Sequence, residues 1–136
     1  CVALDPDPRA VQHINEELRI MAMCSLFESG LDLGGFDIIS FNKVLEHVVD
    51  PIGMLRIANE YLNPEGFVYL EVPDGETAES YGPDREEFFL EHFHIFSVES
   101  VRVLVKTAGF IIAKLERIIE PSTKFTIRAI CVRSDK

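Results

Sequence analysis

Basic residues are scarce in this chain: 13 Lys and Arg stand against 23 Asp and Glu, a formal net charge of −10 over 136 residues. Nucleic-acid backbones are held by basic clusters, so a nucleic-acid partner is not expected. Long apolar runs are missing as well. None approaches the roughly 20 residues that cross a bilayer, and Asp5, Asp7 and Arg9 interrupt the N-terminal stretch where a secretion signal needs an apolar run. The expectation is a cytoplasmic protein with no membrane partner. Cysteine is limited to Cys1, Cys24 and Cys131. Their wide spacing is neither a disulfide framework nor a zinc pattern, and mostly apolar neighbours predict reduced, buried thiols. Glycine-rich phosphate cradles, internal repeats and low-complexity tracts are also absent.

What is present is an ordinary globular composition, 47% hydrophobic. The length suits one core, and residues 1–136 are expected to form a single domain. Cys1 to Leu4 reads as a strand closed by Asp5-Pro6-Asp7-Pro8. Asp7 is placed to cap a helix with Pro8 in its first turn, and Val11, Ile14 and Leu18 follow at helical spacing. Arg19 to Phe27 predicts a second strand, and Leu31 to Gly35 a turn. Phe36 to Phe41 is nearly all apolar, as in a strand buried on both faces. Asp50-Pro51 starts a helix whose inner stripe is Ile52, Leu55, Ala58, Tyr61 and Leu62, and Asn63-Pro64-Glu65-Gly66 stops it. Phe67 to Val72 is a fourth strand, ended by Pro73-Asp74-Gly75.

Residues 74–96 form a long polar connection containing Tyr81, Phe88, Phe89, Phe93 and Phe96. A connection this long in a small domain is usually functional or disordered. Between Glu71 and Glu91 only Arg85 is basic, which reads as a solvated acidic loop or as a lid that disfavours anionic substrates. Ser97 caps a third helix carrying Val98, Val101, Leu104, Val105 and Ala108 on one face, and Gly109 ends it. Phe110 to Ile119 and Phe125 to Val132 are two further strands. Alternating strands and helices predict an α/β sheet covered on both faces. With no helix between them, the last two strands are expected to pair antiparallel.

Four stretches spanning nearly the whole chain resemble the class I S-adenosylmethionine-dependent methyltransferases, above all the small-molecule and sugar-modifying types. They are Val2-Ala3-Leu4-Asp5; Cys24-Ser25-Leu26-Phe27; Asn42-Lys43-Val44-Leu45-Glu46-His47; and Glu91-His92-Phe93-His94-Ile95-Phe96-Ser97 with the Ala108-Gly109-Phe110 exit. The resemblance implies a Rossmann-like three-layer sandwich, mostly parallel, with a C-terminal antiparallel pair. It implies S-adenosylmethionine as cofactor, and cofactor contacts from Asp5, Pro6, Ser25, Leu26, Asn42, Lys43 and His47. Asp5 takes the place of the ribose-binding acid, since a carboxylate accepts from both hydroxyls of a diol. Ser25 stands where the family commonly has an acid for the adenine amino group, a weaker acceptor. Asn42 lies against the methionine part of the cofactor. His47 either faces the reaction centre or caps the turn. His92 or His94 is the expected base toward an acceptor hydroxyl, because histidine titrates near neutral pH. No metal site is expected: Glu46 and His47 are adjacent, and adjacent residues on a helix point apart. The segment 74–96 is the expected substrate-side lid.

The family's glycine-rich loop after its first strand has no counterpart here; Gly34-Gly35 lacks its place and spacing. The expectation is therefore an N-terminally truncated domain whose missing strand is central, between Cys1–Leu4 and Phe36–Phe41. Two apolar edges would then close on each other or pair with another chain, giving a homo-oligomer. Methyl transfer to a sugar or another hydroxyl-bearing small molecule is the leading function. A methyltransferase-like remnant or partner subunit that binds no cofactor is the alternative. Two further readings stay open. One is a metal-dependent hydrolase using Glu91, His92, His94 and Glu46 or His47. The other is a nicotinamide-dependent oxidoreductase using Asp5.

Overall fold

The structure is a computed structural model that describes residues 1–134. The chain forms two compact units, Cys1–Leu31 and Asp32–Lys136. Its strands fall into two sheets.

The first unit is a strand–helix–strand element: β1 (Val2–Asp5), α1 (Pro8–Glu16) and β2 (Met21–Cys24), with the strands parallel. Asp7 caps α1 by accepting the Arg9 N–H at 2.9 Å, and Pro8 opens the first turn, where its missing N–H costs nothing. The Asn15 side chain clamps β2 by bonding both the N–H and the carbonyl of Ala22, at 2.9 and 3.2 Å. The strand expected over Arg19 to Phe27 is shorter. Arg19 sits in the left-handed region at φ 54°, which no extended strand admits. Cys1 and Cys24 are exposed, against the expectation of buried thiols; only Cys131, in the second unit, is buried.

The second unit carries β3 (Phe36–Asn42), a 3-10 turn (Leu45–His47), α2 (Pro51–Tyr61), β4 (Leu62–Pro73), α3 (Gly75–Glu79), a second 3-10 turn (Glu86–Phe88), α4 (Val98–Thr107), β5 (Phe110–Ile119) and β6 (Phe125–Arg133). The sheet order is β3-β4-β6-β5. β3 and β4 are parallel across the α2 connection, while β6 runs antiparallel to both β4 and β5. The register sets Val68, Leu70 and Val72 beside Cys131, Ala129 and Ile127, all at most 1% exposed. Leu55 and Ala58 of α2, and Val101 and Val105 of α4, complete this core, and the two helices pack on each other. Each fully buried aliphatic side chain of this kind contributes on the order of 1.5–3 kcal/mol.

Three expectations for this unit need correction. β3 is not buried on both faces: only Phe41 is buried, and Ile38 is 55% exposed. It is an edge strand, bonded on one side to β4. The Asn63-Pro64-Glu65-Gly66 stretch does stop α2, but the chain turns extended at once and β4 begins at Leu62. The stretch forms an irregularity in the β3–β4 register. A Cβ at Gly66 would lie 2.9 Å from the Asp37 carbonyl, so glycine is required at that close approach. Finally, residues 74–96 are more than a solvated acidic loop. They contain α3 and the second 3-10 turn, and Asp74, Glu87 and Phe96 are buried. No helix among the described residues is long and apolar enough to cross a membrane.

Candidate functional site

In open α/β sheets, ligands bind beyond the carboxyl ends of the parallel strands. A cavity of about 260 Å³ lies there in the second unit. Lys43, Glu46 and His47 reach it just after β3, Pro73 from the end of β4, Glu120 from the β5–β6 connection, and Glu87 and His92 from the segment after α3.

The turn after β3 is built to a definite shape. Lys43 is left-handed at φ 56°, a conformation that costs a non-glycine residue about 1–3 kcal/mol. Its N–H donates to the Glu71 carbonyl at 3.0 Å, and its ammonium bonds the Thr126 hydroxyl and pairs with Glu120 at 3.0 Å. The Thr126 hydroxyl also donates to Glu120. Together, Thr126 first and then Lys43 hold the Glu120 carboxyl below its usual range.

The 3-10 turn is stitched to residues 91–94 through backbone and ring contacts. The N–H groups of Phe93 and His94 donate to the Glu46 carbonyl at 2.8 and 3.3 Å. His47 Nδ1 lies 3.2 Å from the Glu91 carbonyl, and His94 Nε2 lies 2.9 Å from the Val48 carbonyl. His92 Nδ1 lies 3.0 Å from the Glu87 carbonyl. The rings of His47 and His92 meet edge to face with centroids 4.8 Å apart. A carbonyl only accepts, so Nδ1 carries the hydrogen in His47 and His92. In a ring that carries one hydrogen, Nε2 is then the basic nitrogen; that of His47 lies 3.9 Å from Glu46 Oε1.

Two buried carboxylates frame this pair. Glu46 is 1% exposed, and its Oε2 has no hydrogen-bond partner among the described residues. Burial pushes its carboxyl above the usual range, although its own backbone N–H, His47, His92 and Lys43 pull the other way. Glu87 is 3% exposed. Burial pushes it up, but Arg85 at 2.7 and 3.0 Å and the Phe125 N–H at 2.9 Å outweigh that and hold it at about 2.

The cavity therefore gathers Lys43, Glu46, His47, Glu91 and His92 from the residues singled out in the sequence. Asn42, the last residue of β3, and His94 are not among its lining residues. Asp5, Pro6, Ser25 and Leu26 belong to the first unit, where the register places the ends of β1 and β2 side by side. There Asp5 Oδ1 accepts the Asp7 N–H at 2.8 Å, the Asp5 carbonyl accepts the Ser25 N–H at 3.3 Å, and Ser25 Oγ donates to the Leu26 carbonyl at 2.9 Å. The Pro6 carbonyl lies 3.6 Å from Cys24 Sγ. Glu87 and Glu120 escaped the sequence reading. Glu87 lay hidden in an acidic stretch read as a solvated loop. Its one local signal is Arg85, the single cation of that stretch, two residues before it.

Chemically, the cavity presents Nε2 of two imidazoles beside the buried Glu46 carboxyl. Such a set can accept a proton from a bound hydroxyl or coordinate a cation.

A family model described as a methyltransferase domain matches residues 1–115. The fold is similar to that of the N-methyltransferase NodS from Bradyrhizobium japonicum, solved with S-adenosylhomocysteine, at 14% identity and TM-score 0.71 over 98% of this chain and 66% of that one. It is similar to an S-adenosylmethionine-dependent methyltransferase from Clostridium acetobutylicum, at 12% identity and TM-score 0.73 over 96% and 73%. It is also similar to the Burkholderia thailandensis 1,6-didemethyltoxoflavin-N1-methyltransferase, at 19% identity and TM-score 0.73 over 98% and 61%. The chain thus spans 61% to 73% of the length of these relatives. No curated protein sequence matches it.

Proposed function

The chain belongs to the methyltransferase-domain family, and from that premise we propose that it serves S-adenosylmethionine-dependent methyl transfer to a hydroxyl-bearing small molecule such as a sugar. One observation carries the reading beyond the family. The cavity beyond the carboxyl ends of β3 and β4 holds His92, whose Nδ1 is tied to the Glu87 carbonyl and whose Nε2 is free.

When bound, the cofactor supplies an electrophilic methyl group. The chain's own task is to hold two partners in line and relieve the acceptor of a proton, and positioning alone supplies much of such a rate. His92 is the residue through which the acceptor hydroxyl loses its proton. His94 is second choice, since its Nε2 is engaged by the Val48 carbonyl. In this reading Asp5 takes the ribose hydroxyls, with Pro6, Ser25 and Leu26 beside the adenosine. Asn42, Lys43 and His47 attend the methionine end. Residues 1–136 make up one partial methyltransferase domain with 74–96 on the substrate side. Its acidic stretch disfavours anionic acceptors and nucleic acid. A cytoplasmic, non-membrane location, and self-association through exposed strand edges, complete the reading.

Calorimetric titration of S-adenosylhomocysteine into the chain tests it. The expected result is saturable binding that is weakened by Asp5→Ala and unchanged by His92→Ala, with methyl transfer lost at least about tenfold in His92→Ala. No uptake by the folded chain or by a folded form extended upstream would move the protein to the alternative, a methyltransferase-like partner that binds no cofactor; uptake by the extended form alone would mean that the chain is one part of the binding domain. Turnover unchanged in both His92→Ala and His94→Ala would remove the two histidines from the mechanism.

A further inference from the structure

We infer that Glu46, His47 and His92 form a binding site for a divalent first-row cation of the zinc type. One donor atom from each residue lies within 4.8 Å of the other two. The three come from two separate segments, the 3-10 turn after β3 and the stretch before α4, pinned together by the bonds between Glu46 and Phe93 and between His47 and Glu91.

Two independent features point to a cation. The first is the state of the rings. Both histidines give their Nδ1 hydrogen to a backbone carbonyl, at 3.2 Å for His47 and 3.0 Å for His92. Metal-bound histidines are oriented in the same way, with one ring nitrogen donating to a carbonyl or carboxylate and the other on the ion. The second is Glu46. A carboxylate oxygen that is buried and unpartnered carries a large desolvation cost, which a bound cation removes. Glu46 Oε1 already lies 3.9 Å from His47 Nε2.

The donor set selects the ion. Two imidazole nitrogens and one carboxylate oxygen match zinc sites that keep open positions, whereas calcium and magnesium favour oxygen donors alone. Donors set tetrahedrally at about 2.1 Å from one ion lie about 3.4 Å apart, so binding draws the side chains together by up to about 1.4 Å from their present separation of at most 4.8 Å. The adjacency of Glu46 and His47 is no obstacle, because His92 supplies the third donor from another segment.

The site itself is independent of the methyl-transfer reading; its role rests on that reading. An ion with open positions takes the oxygen of a hydroxyl and acidifies it, as zinc brings a bound water to a pKa of about 7. With its Nε2 on the ion, His92 would act as a ligand instead of the proton acceptor proposed above, the hydroxyl proton would pass to solvent, and the acceptor class would narrow to molecules that offer a hydroxyl to the ion.

The test is calorimetric titration of Zn²⁺, and of Co²⁺ followed by its visible absorption, into the chain near neutral pH. One ion per chain is expected. Affinity should fall at least about tenfold in each of His47→Ala, His92→Ala and the near-isosteric Glu46→Gln, and stay unchanged in His13→Ala, a control for an exposed histidine elsewhere. Circular dichroism checks that each variant folds, and His92→Gln replaces His92→Ala if that variant does not. No wild-type binding in the millimolar range, or wild-type affinity in the His47→Ala/His92→Ala double variant, overturns the site. Parallel titration with S-adenosylhomocysteine separates the two conclusions. Ion uptake without cofactor binding by the chain or its extended form sinks only the methyl-transfer reading, and cofactor binding without ion uptake sinks only this one.

Discussion

Glu87 carries the largest resolved carboxylate shift among the described residues, and its sign gives a pH prediction. Its folded pKa is held at about 2, below the ordinary 4.5, by Arg85 and the Phe125 N–H acting against burial. Above about 4.5 both folded and unfolded chains keep the carboxylate charged, and the interaction contributes fully. As pH falls toward about 2, the unfolded chain takes up the proton first and the contribution is lost. At about 1.4 kcal/mol per unit, the shift is worth about 3 kcal/mol. Wild type should therefore lose about 3 kcal/mol more than Glu87→Gln between pH 5 and pH 2, measured by urea unfolding. Equal losses in the two proteins would show that Glu87 is not held in this way. Arg85 is kept in place independently, by the Thr123 carbonyl at 2.9 Å and by the Phe125 ring, 4.5 Å from its guanidinium carbon. A composition count over residues 71–91 sees eight acids and one base and predicts solvation. It cannot see that the backbone at Phe125 returns to meet one of those acids.

At the scale of elements, local signals were legible where the chemistry is local. Asp7-Pro8 and Asp50-Pro51 both open helices as read, and Ser97 caps α4. In α4 the Ser97 side chain accepts the Ser100 N–H at 3.1 Å while the Ser100 hydroxyl accepts the Ser97 N–H at 2.8 Å. Ser97→Ala should lower stability by about 1 kcal/mol, read as a shift in denaturation midpoint without change in slope. Loss of less than about 0.3 kcal/mol would mean that the reciprocal bonds are not formed in solution. The antiparallel β5–β6 pair was legible because a short connection without a helix leaves no other route. The extent of β2 was not: hydropathy marks Arg19 to Phe27 as strand, but only the backbone shows Arg19 at positive φ. The convergence of Glu46, His47 and His92 was hidden for a related reason. The helical rule that sends neighbours apart assumes a continued helix, and a three-residue 3-10 turn met by residues 91–94 is a different geometry.

At the scale of the whole molecule, burial is distributed unevenly. Every buried hydrophobic residue among the described residues lies at or beyond Phe41, and none of α1 is buried. The first unit holds its shape through the β1–β2 pairing, the Asn15 clamp and the Asp7 cap, with little apolar surface removed from water. Few buried apolar contacts mean a low free energy of local opening. Native-state hydrogen exchange should therefore show amides of β2 exchanging through small openings, while those of β4 and β6 exchange only on global unfolding. Equal protection at Met23 and Ile130 in dilute protein would contradict this. The same experiment bears on self-association. If a second copy pairs with an exposed strand edge, as proposed above, protection at that edge should rise with protein concentration. In the second unit the edges are β3, with Ile38 exposed, and β5, with Ile111 exposed. An edge strand with exposed aliphatic residues is a template for pairing unless charge blocks it. Lys114, Glu116 and Arg117 interrupt β5, whereas Asp37 alone is charged in β3. Concentration-dependent protection should therefore appear at Ile38 before Ile111, and protection at both positions that ignores concentration would sink the proposed association.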